Sequence, residues 1–263
     1  MTAEFHLDKS KIKQAFASAA ESYDGAAALQ RQVGLTLLDK YPLQPQSGVI
    51  MDLGCGTGFL TREMEVNLMD QPRLAVDIAL PMLQVSRRRS PAMTVQYLCA
   101  DAENLPFKTG CIQQIYSNLA LQWCQALPTV FLDCRRLLKK SGQLVFATFG
   151  PTTLQELKTA WAQVDAYPHV NAFFAAEQVS GFLQQAGFQR IDMETVVYRL
   201  DYPSVMAVML ELKELGAHNV NAARNRDMTT RRQLQDMIAA YEAAMPDAGI
   251  VASYEIIYVR AME

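Results

Sequence analysis

The chain has 263 residues, half of them hydrophobic, and a formal net charge of -3. That length suits one large α/β domain or a domain carrying an insertion, and the apolar content excludes a disordered chain. The acidic balance excludes a protein that coats nucleic acid, and no apolar run is long enough to span a bilayer.

The start, Met1-Thr2-Ala3-Glu4-Phe5-His6, lacks the basic-then-apolar plan of a secretion signal, so a cytoplasmic protein is expected. Cys55, Cys99, Cys111, Cys124 and Cys134 form no C-x-x-C pair, and His6, His169 and His218 lie far apart, so no metal site is expected. Cys55 and Cys124 read as small buried residues in preference to reactive thiols.

In chain order, two helices come first. Ile12, Phe16, Ala19 and Tyr23 share a helical face, Asp24-Gly25 interrupts it, and Leu29, Val33 and Leu37 mark the next face up to Tyr41-Pro42. Standing before any strand, they cannot be sheet crossovers and are expected to cap the crevice at the carboxyl ends of the strands. Val49–Leu53 reads as a buried strand. It runs through Asp52-Leu53-Gly54-Cys55-Gly56-Thr57-Gly58 into a helix with Leu60, Met64 and Leu68 on one side.

Glycine belongs in that turn because a Cβ would block both the left-handed bend and the approach of a ligand. The helix behind it offers free N–H groups. A dinucleotide loop needs G-x-G-x-x-G, whereas here the glycines fall at every second residue, which speaks against a nicotinamide cofactor. Asp77 closes the next strand, Arg73–Asp77, about 20 residues on, where an acid can take ribose hydroxyls in either ligand class.

An amphipathic helix follows around Pro81–Arg89, and Arg87-Arg88-Arg89 suits the negative end of its dipole as a solvated terminus. The strand Thr94–Cys99 ends at Ala100-Asp101-Ala102, and Ile112–Ser117 runs into Asn118-Leu119-Ala120-Leu121-Gln122-Trp123-Cys124. Leu127, Val130, Phe131, Cys134 and Leu138 form a helical stripe, with Ser141-Gly142 expected as its C-cap. A strand Gln143–Phe149, helices with Leu154–Val164 and Ala176–Ala186, and strands Arg190–Leu200 and Tyr254–Val259 complete the pattern.

The alternation predicts a doubly wound, mainly parallel α/β sheet. Residues 201–249 are too long for a turn and read as helical, with Thr230…Gln233 a capping box. The insertion carries Lys213, His218, Arg224, Arg226, Arg231 and Arg232. That cluster suits an anionic substrate or acidic partner, or else the solvated ends of lid helices.

The turn Asp52-x-Gly54-x-Gly56-x-Gly58 resembles motif I of class I S-adenosylmethionine (SAM) methyltransferases. Three further stretches narrow this: Ser117–Cys124, Leu212-Lys213-Glu214-Leu215-Gly216-Ala217-His218-Asn219, and Ala15-Phe16…Tyr23-Asp24…Leu29-Gln30-Arg31-Gln32. With them the chain, from roughly residue 10 onward, is similar to the malonyl-[acyl-carrier-protein] O-methyltransferases of biotin biosynthesis. The resemblance implies a Rossmann-like, seven-stranded sheet with an antiparallel last strand. It divides one domain into an N-terminal helical cap (1–45), a core (46–200 and 250–263) and a helical lid insertion (201–249).

It also implies SAM as co-substrate, bound by Tyr23, Asp52, Gly54, Gly56, Gly58, Asp77, Ile78, Met82, Asp101, Ala102 and Asn118. In the family the acid corresponding to Asp77 holds the ribose hydroxyls, that of Asp101 the adenine amine, and the tyrosine reaches the methionine end. Tyr23 and Trp123 would then position the reactants. The implied acceptor is the malonyl group of acyl-carrier protein, whose carboxylate is ionised at neutral pH and needs no general base. Lys213, His218, Arg224, Arg231 and Arg232 are the candidates to hold it or to dock its carrier, and a monomer is expected. Two alternatives stay open: a methyltransferase for a free small acid or a quinol-type ring, and a SAM-binding partner protein without turnover. A phenol or ring carbon would need a base.

Overall fold

A computed structural model describes residues 8–64, 71–90, 95–217, 229–245 and 249–263. Seven strands form a single sheet: β1 (Val49–Leu53), β2 (Arg73–Asp77), β3 (Val95–Cys99), β4 (Ile112–Asn118), β5 (Leu138–Phe149), β6 (Arg190–Tyr202) and β7 (Ile250–Met262). Their order is β3-β2-β1-β4-β5-β7-β6. The first five pair in parallel, and β7 lies antiparallel to both β5 and β6. The order reverses between β1 and β4, so their carboxyl ends frame a topological switch point, the usual ligand crevice of an open α/β sheet.

The helices are α1 (Lys9–Ala19), α2 (Tyr23–Ala26), α3 (Ala28–Lys40), α4 (Phe59–Glu63), α5 (Leu80–Arg89), α6 (Leu127–Leu137), α7 (Gln155–Ala162), α8 (Ala176–Gln185), α9 (Val205–Glu214) and α10 (Arg231–Ala243). Alternate residues of each strand face opposite layers. Ile50, Tyr116, Val145 and Tyr258 pack with α3, α7, α9 and α10, while Met51, Ile115, Phe146 and Val259 pack with α6 and α8. Both cores are closed to water, which is what the near-continuous apolar runs of the parallel strands require.

Three expectations are corrected. Asp24-Gly25 does not break the N-terminal helices: it lies inside α2, and the chain turns earlier, where Ser22 N–H donates to the Ala19 carbonyl. α1 and α2 lie over the strand ends, and of α3 only the first turn, at Gln30, reaches them. Leu29, Val33 and Leu37 of α3 pack on the side of the sheet against Ile50 and Tyr116, so α3 is a layer helix and not part of the cap. Ser141-Gly142 is not the C-cap of α6, which ends at Leu137 with the chain already extended at Leu138. Those residues instead belong to a bulge where pairing jumps from Ile112–Leu138 to Gln114–Gln143. Glycine is needed there because a Cβ at Gly142 would stand 2.8 Å from the Gln113 carbonyl oxygen.

The described parts of the insertion are mainly helical. Ser204 caps α9 by accepting from Ala207 N–H, and Thr230 and Gln233 form the reciprocal capping box of α10. Among the described residues, no helix is long and apolar enough to cross a membrane.

Candidate active site

At the end of β1 the chain bends through Gly54, Gly56 and Gly58, with φ of 76°, 53° and 80°. Each serves a different contact. A Cβ at Gly54 would fall 2.2 Å from the Ala120 Cβ, so this glycine lets the turn lie against the end of β4. A Cβ at Gly58 would overlap the Ser86 hydroxyl of α5 at 2.0 Å. At Gly56 no atom lies within 4 Å of that position, so its bare side faces open space.

Asp77 braces the turn. Its Oδ2 accepts from Gly56 N–H at 2.9 Å and its Oδ1 from Ala79 N–H at 2.8 Å. Burial raises its carboxyl above the ordinary carboxylate range, and these N–H groups pull it part of the way back. The lone pairs left on its two oxygens are what two ribose hydroxyls require.

The open side of the turn is one wall of a crevice that encloses about 790 Å³, part of it open to solvent. Tyr23, Gly54, Gly56, Asp77, Ile78 and Met82 line one side of it. Asp101, Ala102, Asn118 and Trp123 line the other. Ten of the sequence-predicted residues are thus brought together. Asp52 and Gly58 stand outside it. The Asp52 carboxylate is buried beneath the turn and accepts the Thr61 hydroxyl at 2.5 Å, tying β1 to α4. Gly58 is spent on packing against α5.

Several participants are not among the predicted site residues. Lys9 of α1 reaches across the opening, its Nζ 2.6 Å from Asp101 and 2.8 Å from Glu103. Phe16 meets Trp123 edge-on at 5.3 Å, closing the roof. Leu119, directly after β4, holds a left-handed conformation at φ 48°. Its N–H donates to Ala147 and its carbonyl accepts from Gln122 Nε2, which fixes this strained corner at the cavity. Burial raises the Tyr23 hydroxyl and the Cys124 and Cys55 thiols above their ordinary values, with the Asp77 charge a second cause at Tyr23 and Cys55. All three are therefore protonated at neutral pH, and neither thiol is a nucleophile.

Of the predicted acceptor residues, Lys213, Arg231 and Arg232 are exposed and line none of the cavities described here. Arg232 reaches Asp236 at 3.8 Å. His218 and Arg224 lie outside the described residues. The basic helix tail is exposed at Arg87, Arg88 and Arg89, as a solvated end should be, and Arg88 also pairs with Glu21 and Arg89 with Asp24, linking the cap to α5. Among the described residues no cluster of His, Cys, Asp and Glu could hold a metal.

Residues 51–146 match the family model described as "Methyltransferase domain". In fold the chain is similar to the methyltransferase of the Haloferax volcanii Trm112 activator complex, at TM-score 0.62 and 15% identity, covering 95% of this chain and 96% of that one. Sheet order, glycine turn and strand-end acids define a class I SAM-dependent methyltransferase.

In sequence it is 36% identical to the malonyl-[acyl-carrier protein] O-methyltransferase of Gallionella capsiferriformans, over 98% of this chain and 92% of that protein. It is also 40% identical, over 96% of its length, to the biotin biosynthesis bifunctional protein BioHC of Cellvibrio japonicus, of which it spans half. The chain belongs to the malonyl-[acyl-carrier protein] O-methyltransferase family.

The residues present fit SAM on structural grounds. The face at Gly56 is open, two acids end adjacent strands, and the Asn118 Oδ1 is buried with no hydrogen-bond partner. That lone oxygen is an acceptor suited to an ammonium or hydroxyl donor.

Proposed function

We propose that this protein transfers the methyl group of SAM to the free carboxylate of malonyl-[acyl-carrier protein], giving the methyl ester and S-adenosylhomocysteine as the first step toward pimeloyl formation in biotin biosynthesis. SAM supplies an electrophilic methyl on a positively charged sulfur. In this reading Asp77 holds the ribose hydroxyls and Asp101 the adenine amine, with Tyr23 and Asn118 at the methionine end. Asp52 supports the turn from below. The acceptor carboxylate oxygen bonds the methyl carbon, the carbon–sulfur pair returns to sulfur, and no proton moves.

One observation carries this reading beyond family membership: among the described residues the cavity holds no free base. Its ionisable side chains are Lys9, Tyr23, Asp77, Asp101 and Cys124. Lys9 is paired with Asp101 and Glu103, Tyr23 and Cys124 are kept protonated, and Asp77 is committed to the turn. A carboxylate acceptor needs only alignment and a dry site, which α1 and α2 above the cavity favour. Opposite charges vanish at the transition state, so a water-poor setting speeds the reaction once both partners are bound.

The test is labelled methyl transfer from SAM to malonyl carrier protein, malonyl-coenzyme A and free malonate in parallel. Label in a product lost to mild alkali is expected, because a methyl ester is alkali-labile. No transfer to any of the three would sink the reading. A carrier protein is acidic, so Arg231 and Arg232 on the exposed start of α10 are proposed to help dock it. Reversal of both to Glu is expected to raise KM for the carrier-bound substrate and to spare SAM binding. Residues 201–249 act in this reading as the lid, and the protein works as a cytoplasmic monomer.

A second reading has one feature in its favour. His169 donates or accepts at 2.9 Å with Asp165 and stacks on Trp161 at 3.7 Å, beside a neighbouring cavity. Such a pair could serve as a base for a phenolic acceptor. An alkali-stable product that disappears in His169→Gln would establish it.

A further inference from the structure

Beyond Trp123 lies a second cavity, of about 600 Å³, which none of the predicted site residues but Trp123 touches. It sits past the end of β5, under the lid helix. Phe149, Phe173 and Tyr254 make its aromatic walls, and Leu212 and Leu215, at the end of α9, close it from the insertion side. Trp123 lines both cavities, so a group at its edge meets the contents of each. Asn118 adds a second link, donating from Nδ2 to the Gln30 carbonyl at 2.8 Å.

In this apolar setting two side-chain amides stand out. Asn171 is 7% exposed, and its Oδ1 is buried with no hydrogen-bond partner among the described residues. The Gln30 Oε1 is buried and unpartnered in the same way. Leaving such a group unpaired in a protein interior costs free energy. Two of them lining one cavity mark a place built for hydrogen-bonding matter from outside the fold. Both are neutral amides, and among the described residues no Lys or Arg lines the cavity, its other polar side chains being Thr153, His169, Glu211 and Tyr254. Its one acid, Glu211, accepts the Tyr202 hydroxyl at 2.8 Å and lines this cavity only, not the cofactor cavity. An anion would therefore sit at the Trp123 end, away from Glu211. The remainder of the ligand has to satisfy amides, and the natural complement of an amide is another amide, which offers one donor and one acceptor.

We propose that this second cavity receives the acceptor as an amide-bearing acyl thioester. Its carboxylate lies against Trp123, and the amide of its thiol arm is hydrogen-bonded by Asn171 and Gln30. This rests on the carboxylate-methylation reading above and adds the part of the acceptor that is recognised. It assigns specificity to neutral amides inside the molecule and leaves the exposed Arg231 and Arg232 to docking.

The experiment compares two small malonyl thioesters of equal length, the N-acetylcysteamine thioester, which carries an amide, and the S-pentyl thioester, which does not. Steady-state kinetics are measured on the full chain, on Asn171→Leu and on Gln30→Leu, with SAM affinity taken by calorimetry on each as the check of an intact fold. The unaltered chain is expected to favour the amide-bearing thioester by about tenfold in kcat/KM, the worth of one or two buried hydrogen bonds. In Asn171→Leu that preference is expected to shrink to about twofold while SAM affinity holds. Gln30→Leu is expected to reduce it in the same direction.

Methylation of both thioesters with no preference, or a preference that survives both substitutions, overturns the inference. Loss of SAM binding in both variants also overturns it, since the amides would then be structural. A chain that methylates no malonyl thioester fails one step earlier and takes the carboxylate reading down with it.

Discussion

Burial holds the Asp52 carboxyl up at about 7, with the Thr61 hydroxyl bond pulling it back only in part. Its value in the unfolded chain is near 3.8. Between these two pH values the folded state binds more protons than the unfolded one, so stability falls as pH rises. Stability from this group is full below about pH 4 and is lost as pH climbs through about 7. Asp52→Asn keeps an acceptor for Thr61 and removes the charge. It is expected to flatten the decline in urea midpoint across that window and to gain most at pH 8. A pH profile parallel to that of the unaltered chain would refute this.

The glycine turn gives a paired prediction at the same scale. Gly54→Ala combines a left-handed φ with a collision against Ala120 and is expected to cost about 3 kcal/mol or more in denaturant unfolding. Gly56→Ala has only the backbone penalty, about 1–2 kcal/mol, and is expected instead to abolish SAM binding, because its methyl enters the ligand's space.

Among the elements, α1 and α2 are held over the cofactor cavity by few contacts: Lys9 with Asp101 and Glu103, Phe16 on Trp123, and the pairs Arg88–Glu21 and Arg89–Asp24. Arg88 and Glu21 are mostly exposed, so that pair adds little by itself. Lys9→Met is expected to speed amide hydrogen exchange in α1, with little change in the global melting temperature. SAM dissociation should quicken by several-fold, read by stopped flow. Slower or unchanged release would mean that α1 does not cover the site.

This is also the scale at which sequence reading has its limit. The cofactor side was legible because its parts are local: a glycine turn straight after β1, and acids at or just past the ends of β2 and β3, each marked by a strand boundary. The cap was only half legible, since the apolar stripe of α3 looks the same whether it faces a crevice or the flank of a sheet. Lys9 and Asn171 carry no motif, and the stretch that holds Gln30 says nothing of a cavity. All three acquire their roles when helices and loops distant in the chain converge, and no spacing rule encodes that.

For the molecule as a whole, two cavities meet at Trp123, one ending in the strand-end acids and the other under the lid. Trp123→Phe keeps the wall and the contact with Phe16 and is expected to lower kcat by about tenfold with SAM affinity nearly unchanged, since what suffers is alignment between the two ligands. Trp123→Ala, which joins the cavities, is expected to cost far more, and to admit water to the site. Equal losses from both substitutions would argue that the indole merely fills space.

The position of β7 reaches beyond catalysis. It is hydrogen-bonded to β5 on one side and to β6 on the other, although the insertion of residues 203–249 separates it from β6 in the chain. During synthesis β5 and β6 must therefore wait, each with a bare edge, while some fifty residues of lid emerge ahead of their common partner. Such edges are templates for pairing with a neighbour. The interval before Ile250–Met262 arrives is when the nascent chain is most exposed to aggregation and has most need of a chaperone.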